Sequence, residues 1–320
     1  MMQVWQFIQQ KKQDSKRVML LYVLESLGSS PGRQGFNMAV SSDGDFCGTI
    51  GGGIMEHKFV ELAKSRLRIP EINSDIIRQV HDKSSPKNQS GMICSGEQTI
   101  FIYEISDNDL LQINKLVQSL SQNKNGTLEL TIDSLRFNEQ APLKPFYLEL
   151  KEDFSSFNFI EKTGPKNILH IIGGGHCALA LSQLMCKMDF YIHLYDDRKA
   201  LSTIHENKSA HEIHIVDSYS HLDELIASGS NVYVVIMTFG YKTDDTALRA
   251  LLEKSFKYTG LLGSRKKIEK MFNDYKKEKI SSALLNNIKA PIGIFIKSET
   301  VHEIAVSIAA EIISIKNSVQ

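Results

Sequence analysis

The sequence predicts an α/β protein in which a C-terminal Rossmann-like parallel sheet follows an N-terminal α+β domain. Three observations predict it. Two triglycine turns, Gly51-Gly52-Gly53 and Gly173-Gly174-Gly175, each follow a strand-like apolar run and open a helix-like one. After residue 166 strand and helix patterns alternate, as βαβ units with a parallel sheet require. Before it, strand patterns dominate and such alternation is absent. The expected division is an α+β domain over 1–152, a linker over 153–165 and the Rossmann-like domain over 166–320. The linker falls in the aperiodic tract Lys151–Lys166, which holds Gly164-Pro165.

In the first domain, the unbroken apolar run Val18–Leu24 reads as a buried strand leading into the turn Gly28-Ser29-Ser30-Pro31-Gly32. Phe36–Val40 and Asp45–Ile50 flank Ser41-Ser42-Asp43-Gly44, whose Asp-Gly step favours a tight hairpin. After the first triglycine, Met55, Phe59, Leu62, Ala63 and Leu67 recur at helical spacing until Pro70. Ile76–Val80, Thr99–Ile105, Thr127–Ile132 and Phe146–Leu150 read as further strands, with a helix over Asp109–Leu120.

The second domain opens with the strand Asn167–Ile172, the second triglycine and a helix over Leu179–Met188. The strand Phe190–Tyr195 ends at Asp196-Asp197-Arg198, 23 positions after Gly173. Gly173-x-Gly175-x-x-Ala178 is thus a dinucleotide-type phosphate fingerprint, with an acid where a ribose hydroxyl would be bound. Ile213–Val216 with Leu222–Ile226, and Val232–Thr238 with Ala247–Leu252, continue the βα pattern. Ile304, Ile308 and Ile312 place one apolar face on a closing helix over Glu303–Ile313.

Glycine permits close backbone approach and positive φ, and free amides at a helix start attract phosphate, so each triglycine is an expected anion cradle. Composition excludes other classes. Lys plus Arg and Asp plus Glu are equal at 37 each, so no net field draws the chain to nucleic acid or anionic membrane. No apolar run approaches the ~20 residues of a membrane span, and Met1–Lys12 lacks the apolar core of a signal peptide, which makes the cytoplasm the expected address. Cys47, Cys94, Cys177 and Cys186 form no CxxC pair and are expected to be free thiols. The histidines show no HExxH or similar spacing, so neither a zinc enzyme nor a metal site is expected.

Taken in order, the motifs resemble the xanthine dehydrogenase accessory (XdhC/CoxI) family over nearly the whole chain. The matching pieces are Gly28-Ser29-Ser30-Pro31-Gly32; Gly48-Thr49-Ile50-Gly51-Gly52-Gly53 with Glu56; Gly91-Met92-Ile93-Cys94-Ser95-Gly96; and Gly173-Gly174-Gly175-His176. Asp196-Asp197-Arg198, Tyr258 to Lys266, Ala290-Pro291-Ile292-Gly293 and Glu303-Ile304-Ala305 complete the series. The resemblance implies a cytoplasmic, often homodimeric, non-enzymatic maturation factor. Such a protein binds molybdenum cofactor (molybdopterin), promotes its sulfuration, with a cysteine desulfurase as a second partner, and delivers it to an apo molybdenum hydroxylase of the xanthine dehydrogenase type. The chain departs from the family pattern at Phe239 and Tyr241, where two histidines are frequent, at Asn37 before Met38, and at Ser95 within Cys-Gly-Gly.

Molybdenum cofactor presents a phosphate, a hydrogen-bonding pterin and a metal-holding dithiolene. Gly51, Gly52, Gly53, Gly173 and Gly175 are the expected backbone donors. Glu56 either accepts from pterin N–H groups or caps its own helix. Cys94 is either a soft ligand or an inert thiol. His176 either donates to a ligand or caps structure. Asp196 and Asp197 hold a ribose or pterin, or bind Arg198 and the backbone. Ser264 and Arg265 are candidates for an anion, beside a basic run from Lys266 to Lys277 that reads as a solvated face. A different class of function, an NAD(P)-dependent oxidoreductase, would use the second domain for the dinucleotide. No His/Asp or Tyr/Lys proton-transfer set accompanies the fingerprint in support of it.

Overall fold

The computed structural model describes residues 2–70, 74–80, 96–188 and 190–318. The chain divides into two compact units, Met1–Gly164 and Pro165–Gln320. In the first, α1 (Met2–Gln13) precedes β1 (Val18–Gly28), β2 (Asn37–Ser41), β3 (Phe46–Gly48), α2 (Gly53–Arg66), β4 (Asp75–Val80) and β5 (Gly96–Glu104). Then come α3 (Leu110–Ser121), β6 (Gly126–Thr131), β7 (Leu135–Asn138), β8 (Phe146–Leu150) and β9 (Phe157–Thr163). Two antiparallel sheets result, ordered β3-β2-β1-β5-β4 and β7-β6-β9-β8.

β1 is the spine of this unit. Leu20, Tyr22 and Leu24 join a core with α1, α3, β6 and β9, while Met19, Leu21 and Val23 join a second core under α2. Burial on both faces is why its sequence is an apolar run without alternation. The helix α1 had no signal in the periodicity, because it buries only Val4, Trp5 and Ile8 among glutamines and lysines.

The segment expected as a linker over 153–165 contains β9 instead. This strand pairs with both β6 and β8 and buries Phe157, Phe159, Glu161 and Thr163 on one face. Two of its four inward residues are polar, which concealed the alternation. Glu161 is 1% exposed and accepts a hydrogen bond from the Tyr22 hydroxyl, so a charge-capable group inside the core is met by a donor from β1.

The second unit runs β10 (Asn167–Ile172), α4 (His176–Met185), β11 (Phe190–Asp196), α5 (Ser202–Glu206), β12 (Glu212–Ile215), α6 (Leu222–Leu225) and β13 (Gly229–Ile236). It continues with α7 (Tyr241–Leu251), β14 (Phe256–Leu261), α8 (Arg265–Lys277), α9 (Ser282–Asn286), β15 (Ile288–Lys289) and α10 (Val301–Asn317). The six strands are all parallel, in the order β12-β11-β10-β13-β14-β15. In chain order this is 3-2-1-4-5-6, the Rossmann arrangement, with its switch point between β10 and β13. One face packs on α4 and α10, the other on α7 and α8. The helix expected over Leu179–Met188 begins earlier, at His176, because extended Gly175 is its N-cap. Among the described residues, Cys47, Cys177 and Cys186 are free thiols, and no helix is long and apolar enough to cross a membrane.

Replacing Tyr22 by Phe removes a buried donor to Glu161, and the unfolding free energy should fall by about 1–3 kcal/mol in urea denaturation. An unchanged midpoint would show that this hydroxyl does not hold the carboxyl.

Candidate functional site

The second triglycine lies at the switch point, at the C-terminal end of β10. Gly173 has φ +104, and a Cβ there would lie 2.4 Å from the Met237 carbonyl oxygen, so only glycine fits between the strand ends. Its amide donates to Tyr195 O at 2.7 Å, and the Gly174 amide donates to Asp196 Oδ2 at 2.6 Å. These two glycines are thereby consumed in fastening the turn. Gly175 differs: its φ is −72, ψ −173, and a Cβ there would meet nothing within 4 Å. It opens α4 with no side-chain cap, which leaves the first-turn amides of His176, Cys177 and Ala178 without an intrahelical acceptor at the positive end of the helix dipole. His176 is exposed at that end.

Asp196, the last residue of β11, is fully buried. Besides the Gly174 amide, it accepts the Arg198 amide at 2.8 Å, Arg198 Nε at 2.9 Å and Arg198 Nη2 at 2.8 Å. Burial pushes its carboxyl up, but the Arg198 and Gly174 donors outweigh burial and hold it below the usual carboxylate range. Both oxygens at the expected ribose position are therefore engaged within the protein. Asp197 is a third exposed and accepts from the Tyr219 hydroxyl at 3.3 Å. The Arg198 side chain remains 36% exposed, and its guanidinium carbon lies 5.7 Å from the ring centroid of Phe239, which is 87% exposed. Phe239 thus presents a bare aromatic ring beside a cation, next to an uncapped helix N-terminus.

Neighbouring helices brace this edge. Thr203 Oγ1 donates to Gly174 O. Buried Asp244 accepts the Thr238 amide at 2.9 Å and pairs with Lys267. Lys267 is thus withdrawn from the basic run read as a solvated face. Ser264 caps α8, its Oγ accepting from the Lys267 amide at 3.3 Å, and Arg265 is exposed in the first turn.

The first triglycine is built differently. Gly51, Gly52 and Gly53 have φ of +132, +78 and +70, three successive positions that side chains disfavour. Glu56 Oε2 accepts from the Thr49 hydroxyl at 2.5 Å, the Ile50 amide at 3.0 Å and the Gly52 amide at 2.9 Å. The carboxylate of the chain itself occupies the turn, at the positive end of α2. A shallow cleft of about 200 Å³ beside it is lined by Phe46, Gly53, Glu56, His57, Val60, Glu61 and Lys64. The turn also gathers other motif pieces: a Cβ on Gly32 would lie 2.1 Å from Ile50 O, and Gly96 pairs with Gly28. Cys94, with Gly91 to Ser95, lies outside the described residues. Cys177, in the first turn of α4, has its thiol pushed up by burial and is not a poised thiolate.

Sequence reasoning identified the glycines and offered Arg198 and the backbone as alternative partners of Asp196, but missed the Thr203 bond to Gly174, the Tyr219 bond to Asp197 and the Asp244–Lys267 pair. The two Asp196 neighbours that decide its role are Arg198, adjacent in sequence, and Gly174, brought by the sheet. Only the first was visible as a signal.

Two family models match the chain. One, described as the XdhC Rossmann domain, covers residues 169–312, and the other, the XdhC and CoxI family, covers residues 12–70. The chain is 22% identical to a protein of Bacillus subtilis (strain 168) named as a probable xanthine dehydrogenase subunit, over 96% of each chain. It is 24% identical, over 92% of its length, to the uncharacterized protein YqeB of Escherichia coli (strain K12), and spans 43% of that longer relative. A 2.80 Å crystal structure of a protein named a xanthine dehydrogenase from Bacillus halodurans superposes with a TM-score of 0.72 at 20% identity, covering 99% of this chain and 96% of that one. This last likeness is one of fold.

Replacing Glu56 by Ala frees three donors, and the unfolding free energy should drop by about 2 kcal/mol. An unaltered urea midpoint would mean that solvent replaces the carboxylate at no cost. For Asp196, whose folded pKa is depressed, the stabilisation is complete above the unfolded value of about 3.9 and is lost as pH falls through the lower folded value. Asp196→Asn should therefore be less stable than the parent at pH 7, by about 3 kcal/mol, with the gap narrowing below about pH 4. A pH-independent gap in denaturation would contradict this linkage.

Proposed function

Since the chain belongs to the XdhC and CoxI family, we propose that it is an accessory protein in the maturation of a xanthine dehydrogenase-type molybdenum hydroxylase, and that it binds molybdenum cofactor at the mouth of its Rossmann unit. The accessory role is supported by the family and by the Bacillus subtilis relative, whose name ties it to xanthine dehydrogenase. Sulfuration of the cofactor, delivery to an apo-hydroxylase, a cysteine desulfurase partner and a homodimer are part of the same reading.

The observation that carries the binding site is the uncapped start of α4 beside Arg198 and the exposed ring of Phe239. The donor set fits the group. Uncapped helix-start amides and a guanidinium suit a terminal phosphate, and an exposed aromatic face suits a pterin ring. When bound, the cofactor supplies a metal held by a dithiolene. The chain's part is to receive the phosphate at His176, Cys177 and Ala178, to balance its charge with Arg198, and to cover one ring face with Phe239. His176 and Asp197 stand at the rim for further polar contacts. Glu56 belongs to the architecture of the first unit, and Cys94 is the soft group proposed for the sulfur end.

The strand order also suits an NAD(P)-dependent oxidoreductase. Commitment of both Asp196 oxygens to Arg198 and Gly174 removes the usual ribose acceptor and favours the accessory reading.

Anaerobic titration with molybdenum cofactor, run in parallel with NADH and NADPH and followed by thermal shift, tests the reading. Saturable binding of molybdenum cofactor is expected, and binding of a dinucleotide alone would replace the accessory role with the oxidoreductase. Gly175→Val is the informative variant, since its φ suits any residue and its Cβ meets nothing, so the fold should persist while a side chain covers the amides. A fall in affinity of at least ~10-fold is expected from the lost charge-assisted hydrogen bonds. Full affinity in the folded variant would move the ligand elsewhere. Cys94→Ala should leave folding intact and lower cofactor loading of the partner hydroxylase, and undiminished loading would take Cys94 out of the pathway.

A further inference from the structure

At the β12 edge of the sheet, neighbouring parallel strands bring His193 of β11 beside Glu212 and His214 of β12. His193 Nδ1 lies 3.1 Å from His214 Nε2, His193 Nδ1 3.5 Å from Glu212 Oε2, and His214 Nε2 3.4 Å from the same oxygen. Three candidate ligand atoms thus form a nearly equilateral triangle. The edge of a tetrahedron around zinc, for bonds of ~2.0–2.1 Å, is about 3.3–3.4 Å. Two of the three separations exceed a good N–H···O hydrogen bond, whereas all three suit ligands of one ion.

The surroundings hold this triangle in place. Tyr191 donates its hydroxyl to Glu212 Oε1 at 2.8 Å, which leaves Oε2 turned to the imidazoles. His170 stacks on His193 with ring centroids 4.8 Å apart, and Tyr195 stacks on His214 at 4.7 Å. An outer shell that fixes ring orientation and carboxylate direction is what metal ligands require. The side chains of His214 and Glu212 are 34% and 44% exposed, so an ion can enter from the edge of the sheet.

The geometry points to a divalent transition-metal site of the zinc class at His193, Glu212 and His214. With two imidazoles and one carboxylate, it leaves a fourth position open to water or an exogenous ligand. The sequence showed no such site because the ligands come from two strands that only the sheet makes adjacent, 19 residues apart at the first pair. The site is separate from the cofactor reading: His193 precedes Asp196 by three residues, about 10 Å along the strand.

The test uses the full chain without a histidine tag, stripped with chelator and titrated with Co²⁺ and then Zn²⁺. One Co²⁺ per chain is expected, with a visible d–d absorption typical of low coordination number, displaced by one equivalent of Zn²⁺. Zinc should raise the melting temperature by several degrees. His214→Ala and Glu212→Gln should each weaken binding at least ~10-fold, and Tyr191→Phe should weaken it measurably through the carboxylate. Melting of the stripped variants near the parent temperature separates lost binding from lost fold, and Glu212→Gln keeps the side-chain shape. His302→Ala, an exposed histidine on α10, should bind as the parent does. Absence of stoichiometric Co²⁺ binding, or equal binding in the parent, His214→Ala and Glu212→Gln, would overturn the site.

Discussion

The buried carboxylate of Asp196 is the interaction on which the mouth of the Rossmann unit depends. It ends β11, receives the Gly174 amide from the neighbouring strand's turn, and takes three donors from Arg198. One charge so placed sets the path of the glycine turn and the direction of the guanidinium together. It is tolerated without solvent because its partners are charge-assisted and geometrically complete. With the turn fastened from below, Gly175 and the start of α4 are left free above it.

The two triglycines look alike in sequence and do opposite things. In the second, the internal carboxylate lies under the turn and the helix N-terminus stays open. In the first, Glu56 folds back from α2 onto the turn and supplies the negative charge itself. The dipole that would attract a ligand phosphate there is already answered. Of the three left-handed glycines of that turn, Gly51 serves close packing, since a Cβ there would lie 2.6 Å from the Gly32 amide nitrogen, while one on Gly52 would meet nothing within 4 Å. The asymmetry also separates the roles of the units. The first gathers Gly28–Gly32, Gly48–Gly53 and Gly96 into a closely packed corner, and the second presents an uncapped helix start with a cation and an aromatic ring.

Much of this was legible in the residues. The strand before Gly173, the helix after it and the acid at the correct distance are all local patterns, and each became the expected element. The hairpin around Asp43-Gly44 and the buried run of β1 were legible for the same reason, since turn chemistry and hydrophobic pattern act over a few residues. Failures cluster where inward positions are polar. β9 places Glu161 and Thr163 in the core, so its alternation did not read as one, and α1 is too polar for its three buried residues to declare a helix. Lys267 looked like one of a solvated run, yet reaches buried Asp244.

By itself, then, the sequence determined the fold class, the glycine turns and the family, because backbone conformation and binary pattern are written in short windows. Tertiary structure decided which polar groups are spent and which are offered. Whether Glu56 caps or binds, whether Asp196 meets a ribose or an arginine, and whether His193, Glu212 and His214 converge, all depend on side chains that meet across strands. A hydrogen bond or metal ligand set is satisfied by distance in space, to within a few tenths of an ångström, and linear spacing carries no record of that distance.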